Sequence, residues 1–371
     1  MNPLILTLLH SFFLLLSSQH AALAAPNTRL VRCSKDRFAR DDACCVWYDV
    51  LDDVQENLFD RGKCGAEARE SLRIMFHDAI GYSESAIKAG KFGGGGADGS
   101  MMAHADVELE FKGNIGMDEI INEQRPFALK HHVPFGDFIQ FAGAVGLSNC
   151  HGAPRLQFLA GRSNHSRPAP DEGLIPAPFH TADQIFARMK DAGFSPEEVV
   201  ALSAAHSVGA QHQLDPSINN APLDSTPEEF DSQFFLETLL EGTHYPGDSS
   251  ALAEDKSPLR GQFRIHSDGL LARDHRSACE WQSFITDQDG MNRKFARVMA
   301  KVSLLGQDPS KLVDCSEVIP DVRPARRQRA VLPAGKTRKD VEANCVESSF
   351  PSLNTQPGPP TFIRPAPSRP T

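Results

Sequence analysis

The stretch Glu70-Ser-Leu-Arg73-Ile-Met-Phe76-His77-Asp78-Ala-Ile-Gly81 decides how the rest of the chain is read. Its apolar residues Leu72, Met75, Phe76, Ala79 and Ile80 predict a buried helix over 70–81 that stops near Gly81. Glu70, Arg73 and His77 stand at i, i+3 and i+7 and share one face. An ordinary amphipathic helix would carry leucines there; this one carries a carboxylate, a permanent cation and a base. Enclosing such groups is costly, because each gives up water. A structural Arg beside a satisfied core His would explain the pair alone, so the decision falls to the remaining residues.

Upstream, Cys44 to Phe59 has apolar residues at helical spacing. Downstream, Phe92 to Ser100 contains Gly93-Gly-Gly-Gly96-Ala-Asp98-Gly-Ser100, which suits neither a helix nor an ordinary strand. No Lys-Ser/Thr follows, so a phosphate-binding loop is a poor fit. Asp98 and Ser100 alternate with carbonyl-rich backbone, the oxygen donors that Ca²⁺ prefers. Helical patterns resume over 116–131 and 136–148, and Pro168 to Pro178 reads as a linker. Ser195-Pro196-Glu-Glu198 is a helix start with a capping box, and its helix runs to His206 and Ser207 and ends near Gly209. The small residues before His206 would let a flat bulky group, or another helix, lie close. Leu223 to Asp231 gathers acids and a hydroxyl, which alone reads as a solvated turn. Residues 230–240, 277–287 and 291–305 read as helices, and 263–270 as an extended piece around Asp268. About ten helices with little strand make an all-α fold.

Residues 1–25 hold no Lys, Arg, Asp or Glu and end in Ala22-Leu23-Ala24, so they read as a secretory signal peptide without its basic start. About 345 of the 371 residues then remain, enough for one large or two ordinary domains with a full core. The boundaries read from the sequence are 26–167, 168–320 and an extended, Pro-rich tail over 321–371 tethered only by Cys345. A net charge of -10 disfavours nucleic acid and anionic membranes as partners. The eight cysteines, even in number in an exported chain, imply four disulfides, and no CxxC pair favours zinc. Asn164-His-Ser166 is a glycosylation sequon in a stretch that should be exposed.

Arg73-Ile-Met-Phe76-His77-Asp78-Ala, the glycine run to Ser100, Ala144 to Cys150, Ala205-His206-Ser207, Asp224-Ser-Thr226-Pro and Cys279-Glu-Trp-Gln together resemble the fungal class II secretory haem peroxidases. This branch of the plant-peroxidase superfamily includes lignin and manganese peroxidases. The resemblance covers the chain after the leader, apart from the last part of the tail. It implies a monomer with haem b held between two helical domains and one Ca²⁺ in each domain. It implies His206 as the iron ligand, with Asp268 accepting from its other ring nitrogen. On the opposite face it implies His77 as the acid–base residue for H₂O₂ and Arg73 as the cation for the charge that develops. Asn114 and Glu108 match the groups that orient that His and Arg, and Phe76 matches an aromatic wall.

By the same resemblance, one Ca²⁺ would take Asp78, the Gly96 carbonyl, Asp98 and Ser100. The other would take Ser207, Asp224, Thr226, the Glu229 carbonyl and Asp231. Each ion would then sit one residue from a key histidine. The implied disulfides are Cys33–Cys45, Cys44–Cys315, Cys64–Cys150 and Cys279–Cys345. Leu223 stands where many relatives carry Phe.

The subfamilies differ in how electrons arrive. The three carboxylate positions of manganese oxidisers are Ala66, Glu70 and His212 here, and Glu67, one residue along the helix from Ala66, points about 100° away from that position. The surface Trp of lignin and versatile types is Ala201. What is left is oxidation of small phenols and aromatic donors at an open haem edge, as in low-potential generic peroxidases. Manganese oxidation through an atypical site is the alternative. An alternative of another class is a secreted calcium-binding protein with a vestigial pocket, against which the complete set of Arg73, His77, His206 and Asp268 stands.

Overall fold

The computed structural model describes residues 30–366, apart from 171, 212, 216 and 248–252. The signal-peptide reading of 1–25 and position 212 therefore lie outside the described residues. Within them the chain is helical, and its β structure amounts to four antiparallel pairs of two-residue strands.

The Arg73/His77 helix spans Ala66–Ile80, with Gly65 capping its start and Gly81 its end. It lies along the helix Phe135–Ser148, in which every residue from Gly136 to Ser148 is buried. A Cβ at Gly143 would sit 2.1 Å from Met75 Sδ, so a glycine is what permits this approach. Packing the two backbones closely leaves the opposite face of Ala66–Ile80 free to carry Arg73 and His77. Arg162 locks the arrangement from within: Nη1 meets Asp137 Oδ1 at 2.8 Å, Nη2 donates to Ser303 O at 2.7 Å, and neither side chain is solvent-exposed. Removing one partner of such an enclosed pair typically costs about 3–5 kcal/mol.

The His206 segment begins as the sequence predicts. Ser195 Oγ accepts from Glu198 N at 3.3 Å, and Glu198 Oε2 accepts from Ser195 N at 2.9 Å. The α-helix Pro196–Ser203 then tightens into a 3₁₀ turn, Ala204–Val208, which carries His206 and closes with Gly209 N donating to His206 O at 2.9 Å. This segment packs on the helix Gln288–Val302.

Several expectations change. Asp268 lies in the first turn of a helix, His266–Arg273, after a two-residue strand Arg264–Ile265, and not in an extended piece. An acid in a first turn suits the positive end of the helix dipole. The structure adds the helix Ala182–Asp191, whose Thr181/Gln184 capping box is plain in the sequence. The 168–178 stretch is pinned on both sides and does not hang as a free linker. Ala169 N donates to Glu108 Oε1 at 3.0 Å, and Pro178 O accepts from Ser267 N at 3.1 Å. The tail is also held by far more than Cys345. Its backbone bonds Ala330 N to Ile285 O at 2.9 Å, Glu342 N to Leu239 O at 2.8 Å and Ile363 N to Arg260 O at 2.8 Å, and it buries Ala330, Leu332, Val341 and Ile363.

Four disulfides form, Cys33–Cys45, Cys44–Cys315, Cys64–Cys150 and Cys279–Cys345, the pairs that the resemblance implies. Each contributes about 2–4 kcal/mol by restricting the unfolded chain. No described cysteine is free, and every described methionine is buried. Among the described residues no helix is long and apolar enough to cross a membrane.

Candidate active site

The Arg73/His77 helix and the His206 turn face each other across a cavity of about 290 Å³. Leu72, Phe76, Ile185, Leu202, Leu271 and Met299 give it mostly apolar walls, the setting in which a few polar groups fix a ligand's orientation. It opens to solvent past the exposed residues Lys112, Ile115 and Gln213. Both imidazoles line it, and they are close enough for His206 to influence the proton affinity of His77.

His77 Nδ1 meets Asn114 Oδ1 at 2.9 Å, and the Asn114 amide donates from Nδ2 to Glu108 O at 2.8 Å. The amide is thereby fixed with its oxygen toward the ring, so Nδ1 carries the proton and Nε2 keeps a lone pair. Arg73 Nε donates to that Nε2 at 3.3 Å, and Arg73 Nη2 donates to Ile115 O at 3.0 Å. Burial, reinforced by the Arg73 charge, brings the His77 pKa down to about 3. The ring is a neutral base over the ordinary pH range.

Glu108 contributes here through its main chain. Its carboxylate accepts from Ala169 N, while its carbonyl holds the Asn114 amide that orients His77. Arg69 was missed by the sequence reading, although 69, 73 and 77 follow one another at i+4 on one face. It is buried and lines the cavity with Glu70. Phe76 stands edge-on to His77, with ring centroids 5.9 Å apart.

Across the cavity, His206 Nδ1 lies 3.1 and 2.9 Å from the two Asp268 carboxylate oxygens. Burial alone would lower the affinity of His206 for a proton, but the Asp268 charge and hydrogen bond outweigh it and the pKa is raised. With Nδ1 held, Nε2 is the nitrogen left for a ligand. The arrangement fits haem: an apolar cavity, an imidazole made electron-rich by a carboxylate on one wall, and a neutral base with a cation on the other. Leu223 lines the cavity beside His206.

The two oxygen clusters are also assembled. Asp78, directly after His77, accepts from Gly99 N at 3.0 Å and Met101 N at 3.2 Å, while Asp98 accepts from Ser100 N at 3.0 Å and Gly96 O from Asp98 N at 2.8 Å. In the second cluster Thr226 Oγ1 lies 3.4 Å from Asp224 Oδ2 and 3.2 Å from Asp231 Oδ1. Ser207 is buried in the adjoining turn with Oγ donating to Ala204 O at 2.8 Å, and the Glu229 carboxylate pairs outward with Arg326 at 3.0 Å. Burial and then the neighbouring acids push Asp78 and Asp224 well above the usual carboxylate range. Burial foremost raises Asp98, and brings Asp231 up to about 7. Enclosed carboxylates that repel each other beside hydroxyl and carbonyl oxygens are a donor set that fits a hard cation. Among the described residues no three His, Cys, Asp or Glu side chains form a metal group, so each cluster has two carboxylates and neutral oxygens for the rest.

Of the other positions weighed, Ala201 is buried at 1 % exposure. Trp47 packs on Phe141 and Phe158, and Trp281 donates from Nε1 to Phe235 O at 3.0 Å, so both are core residues. Asn164 is exposed.

Comparison with known proteins agrees with this geometry. Residues 50–287 match the peroxidase family model, and residues 290–368 match the fungal peroxidase extension region. The likeness thus runs through the tail, further than the motifs alone suggest. The chain is 50% identical over 360 residues to Ligninase B of Phanerodontia chrysosporium, covering 96% of each chain. It is 48% identical over 365 residues to Versatile peroxidase VPS1 of Pleurotus eryngii, covering 97% of this chain and 98% of that one. It is 50% identical over 337 residues to a peroxidase of Arthromyces ramosus, covering 91% and 92%.

Proposed function

Because this chain belongs to the fungal class II haem peroxidase family, and so acts on H₂O₂, we propose that it oxidises small phenolic and aromatic donors one electron at a time at the open rim of its cavity, without Mn²⁺ or a surface tryptophan. The balance is one H₂O₂ and two phenols giving two waters and two phenoxyl radicals. Haem, when bound, supplies the redox centre for O–O cleavage and single-electron uptake.

The protein's own residues do the rest. His206 Nε2 would hold the iron, and Asp268 keeps that ring oriented and electron-rich. His77 Nε2 takes the proton from one peroxide oxygen and returns it to the other, which departs as water. Asn114 holds the tautomer that this requires. Arg73, anchored on Ile115 O, stabilises the negative charge on the departing oxygen.

The choice of donor rests on one observation above all: of the three positions where manganese oxidisers carry carboxylates, Glu70 alone is an acid. Ala66 is apolar and Glu70 is the acid that remains, a poor set for Mn²⁺, which prefers several oxygen ligands. The enclosed Ala201 likewise supports a route at the cavity rim. Holoenzyme given H₂O₂ and a simple phenol such as guaiacol should show saturable turnover with no added Mn²⁺ and no direct oxidation of veratryl alcohol. Saturation kinetics in Mn²⁺ would reject the reading.

The proposal includes two Ca²⁺ ions, held by Asp78, Gly96 O, Asp98 and Ser100, and by Ser207, Asp224, Thr226, Glu229 O and Asp231. Each fixes the segment that carries the neighbouring histidine. Stripping calcium should lower both activity and melting temperature, with recovery when calcium is returned. Full turnover and an unchanged haem spectrum in calcium-free enzyme would contradict this. We also assign the chain to the extracellular space, supported by the apolar leader, four disulfides and an exposed Asn164 sequon.

A further inference from the structure

If electrons enter at the cavity rim, the groups that frame the mouth decide which donors are taken. A Cβ on Gly113 would lie 2.5 Å from Ile175 Cγ2, and one on Gly116 would lie 2.8 Å from Gln213 Cγ and 3.8 Å from Arg73 Nη1. The stretches 113–116, 175–178 and 213–214 therefore meet close to the Arg73 guanidinium.

This frame is firm and mostly apolar. Gly113, Ile115, Pro176, Ala177, Pro178 and Leu214 line the cavity. Ile115 O accepts from Arg73 Nη2 at 3.0 Å, Ala177 N donates to His180 Nδ1 at 3.1 Å, and Pro178 O accepts from Ser267 N at 3.1 Å. Such a shelf suits the flat face of an aromatic ring.

Lys112 is the charged group at the opening. It is exposed, lines the cavity, and makes no hydrogen bond or ion pair among the described residues. The acids of the lining are engaged elsewhere: Asp268 holds His206, and Glu70 stands one residue from Arg69 and one turn from Arg73. Glu110, two residues back along the chain, is not part of the lining. On a chain of net charge -10, an unpaired ammonium beside an apolar shelf is a local attraction for anions.

A donor that meets both features carries an aromatic ring and an anionic tail. We propose that Lys112 makes phenols bearing a carboxylate, of the hydroxycinnamate kind, preferred donors over neutral phenols. The ring lies on the shelf with its hydroxyl inward, and the carboxylate accepts from Lys112 Nζ. The reaction balance is unchanged, because the carboxylate is bound and not consumed. This preference rests on oxidation at the rim, so guaiacol, a phenol without a carboxylate, serves as the reference donor.

The test compares ferulate with its methyl ester, the same phenol without the charge, in holoenzyme of wild type, Lys112→Met, Lys112→Arg and Lys112→Glu. Lys112→Met should lower the ferulate-to-ester ratio of kcat/KM by about 3–10-fold, the scale of one partly shielded charge pair, with the loss in KM. Lys112→Arg should restore the ratio, and Lys112→Glu should lower it further. Calorimetric titration of the resting enzyme with ferulate should give the same order of affinities without turnover. Equal ratios in wild type, Lys112→Met and Lys112→Glu would overturn the role of Lys112, while Mn²⁺-free turnover of guaiacol would leave oxidation at the rim standing. If none of the three phenols is oxidised without Mn²⁺, oxidation at the rim fails and the preference falls with it.

Discussion

Replacing His77 with alanine is expected to slow the reaction of the holoenzyme with H₂O₂ by about 10²–10⁴-fold, the range that positioned proton transfer contributes. Haem content should be unchanged, because His77 stands on the wall opposite His206. Stopped-flow absorbance at the haem band measures the step directly, and a rate within a few-fold of wild type would refute the role. Arg73→Leu should cost about 10²–10³-fold through the charge that it no longer stabilises. The two variants separate by pH. Burial and the Arg73 charge place the His77 pKa at about 3, so wild type should hold its rate from neutrality down to that region and lose it below, as the base takes up a proton. Removing the guanidinium lets the ring bind a proton more readily. The acid limb of Arg73→Leu should therefore move to higher pH.

His206→Ala should give a protein without the haem absorption band that does not recover it when haemin is added. Among the described residues, His206 is the imidazole on its wall with one nitrogen committed to a carboxylate and the other left for iron. A variant that keeps its colour and its peroxide chemistry would place the iron ligand elsewhere. Asp268→Asn tests the supporting contact. It should retain haem and lose about 10–100-fold in activity, as is typical when the partner of a metal-bound histidine is altered.

The core of this site is legible in the chain because it is written in local spacing. The 69, 73 and 77 positions lie on one helix, and the Ser195/Glu198 box fixes where the His206 segment starts. Contacts that run through the main chain are not legible in the same way. Arg73 is steadied by the carbonyl of Ile115 and Asn114 by the carbonyl of Glu108, and residue type says nothing about which carbonyl will be near. The same reason explains the tail. Its prolines and arginines read as solvated polymer, yet its backbone donors reach Ile285, Leu239 and Arg260 whatever side chains accompany them. Asp268 reads as extended chain because one short apolar run cannot separate a strand from the first turn of a helix.

The placement of sulfur has a consequence for an enzyme that lives on peroxide. Thiols and thioethers are the side chains that such oxidants attack most readily. All eight cysteines are already spent as disulfides, and every described methionine lies beneath the surface. Oxidant arriving from bulk solvent meets no free thiol or thioether on the outside of the described fold. Met189 and Met299, in the walls of the reaction chamber, are the exceptions, so self-inflicted wear begins at the place where the oxidant is consumed.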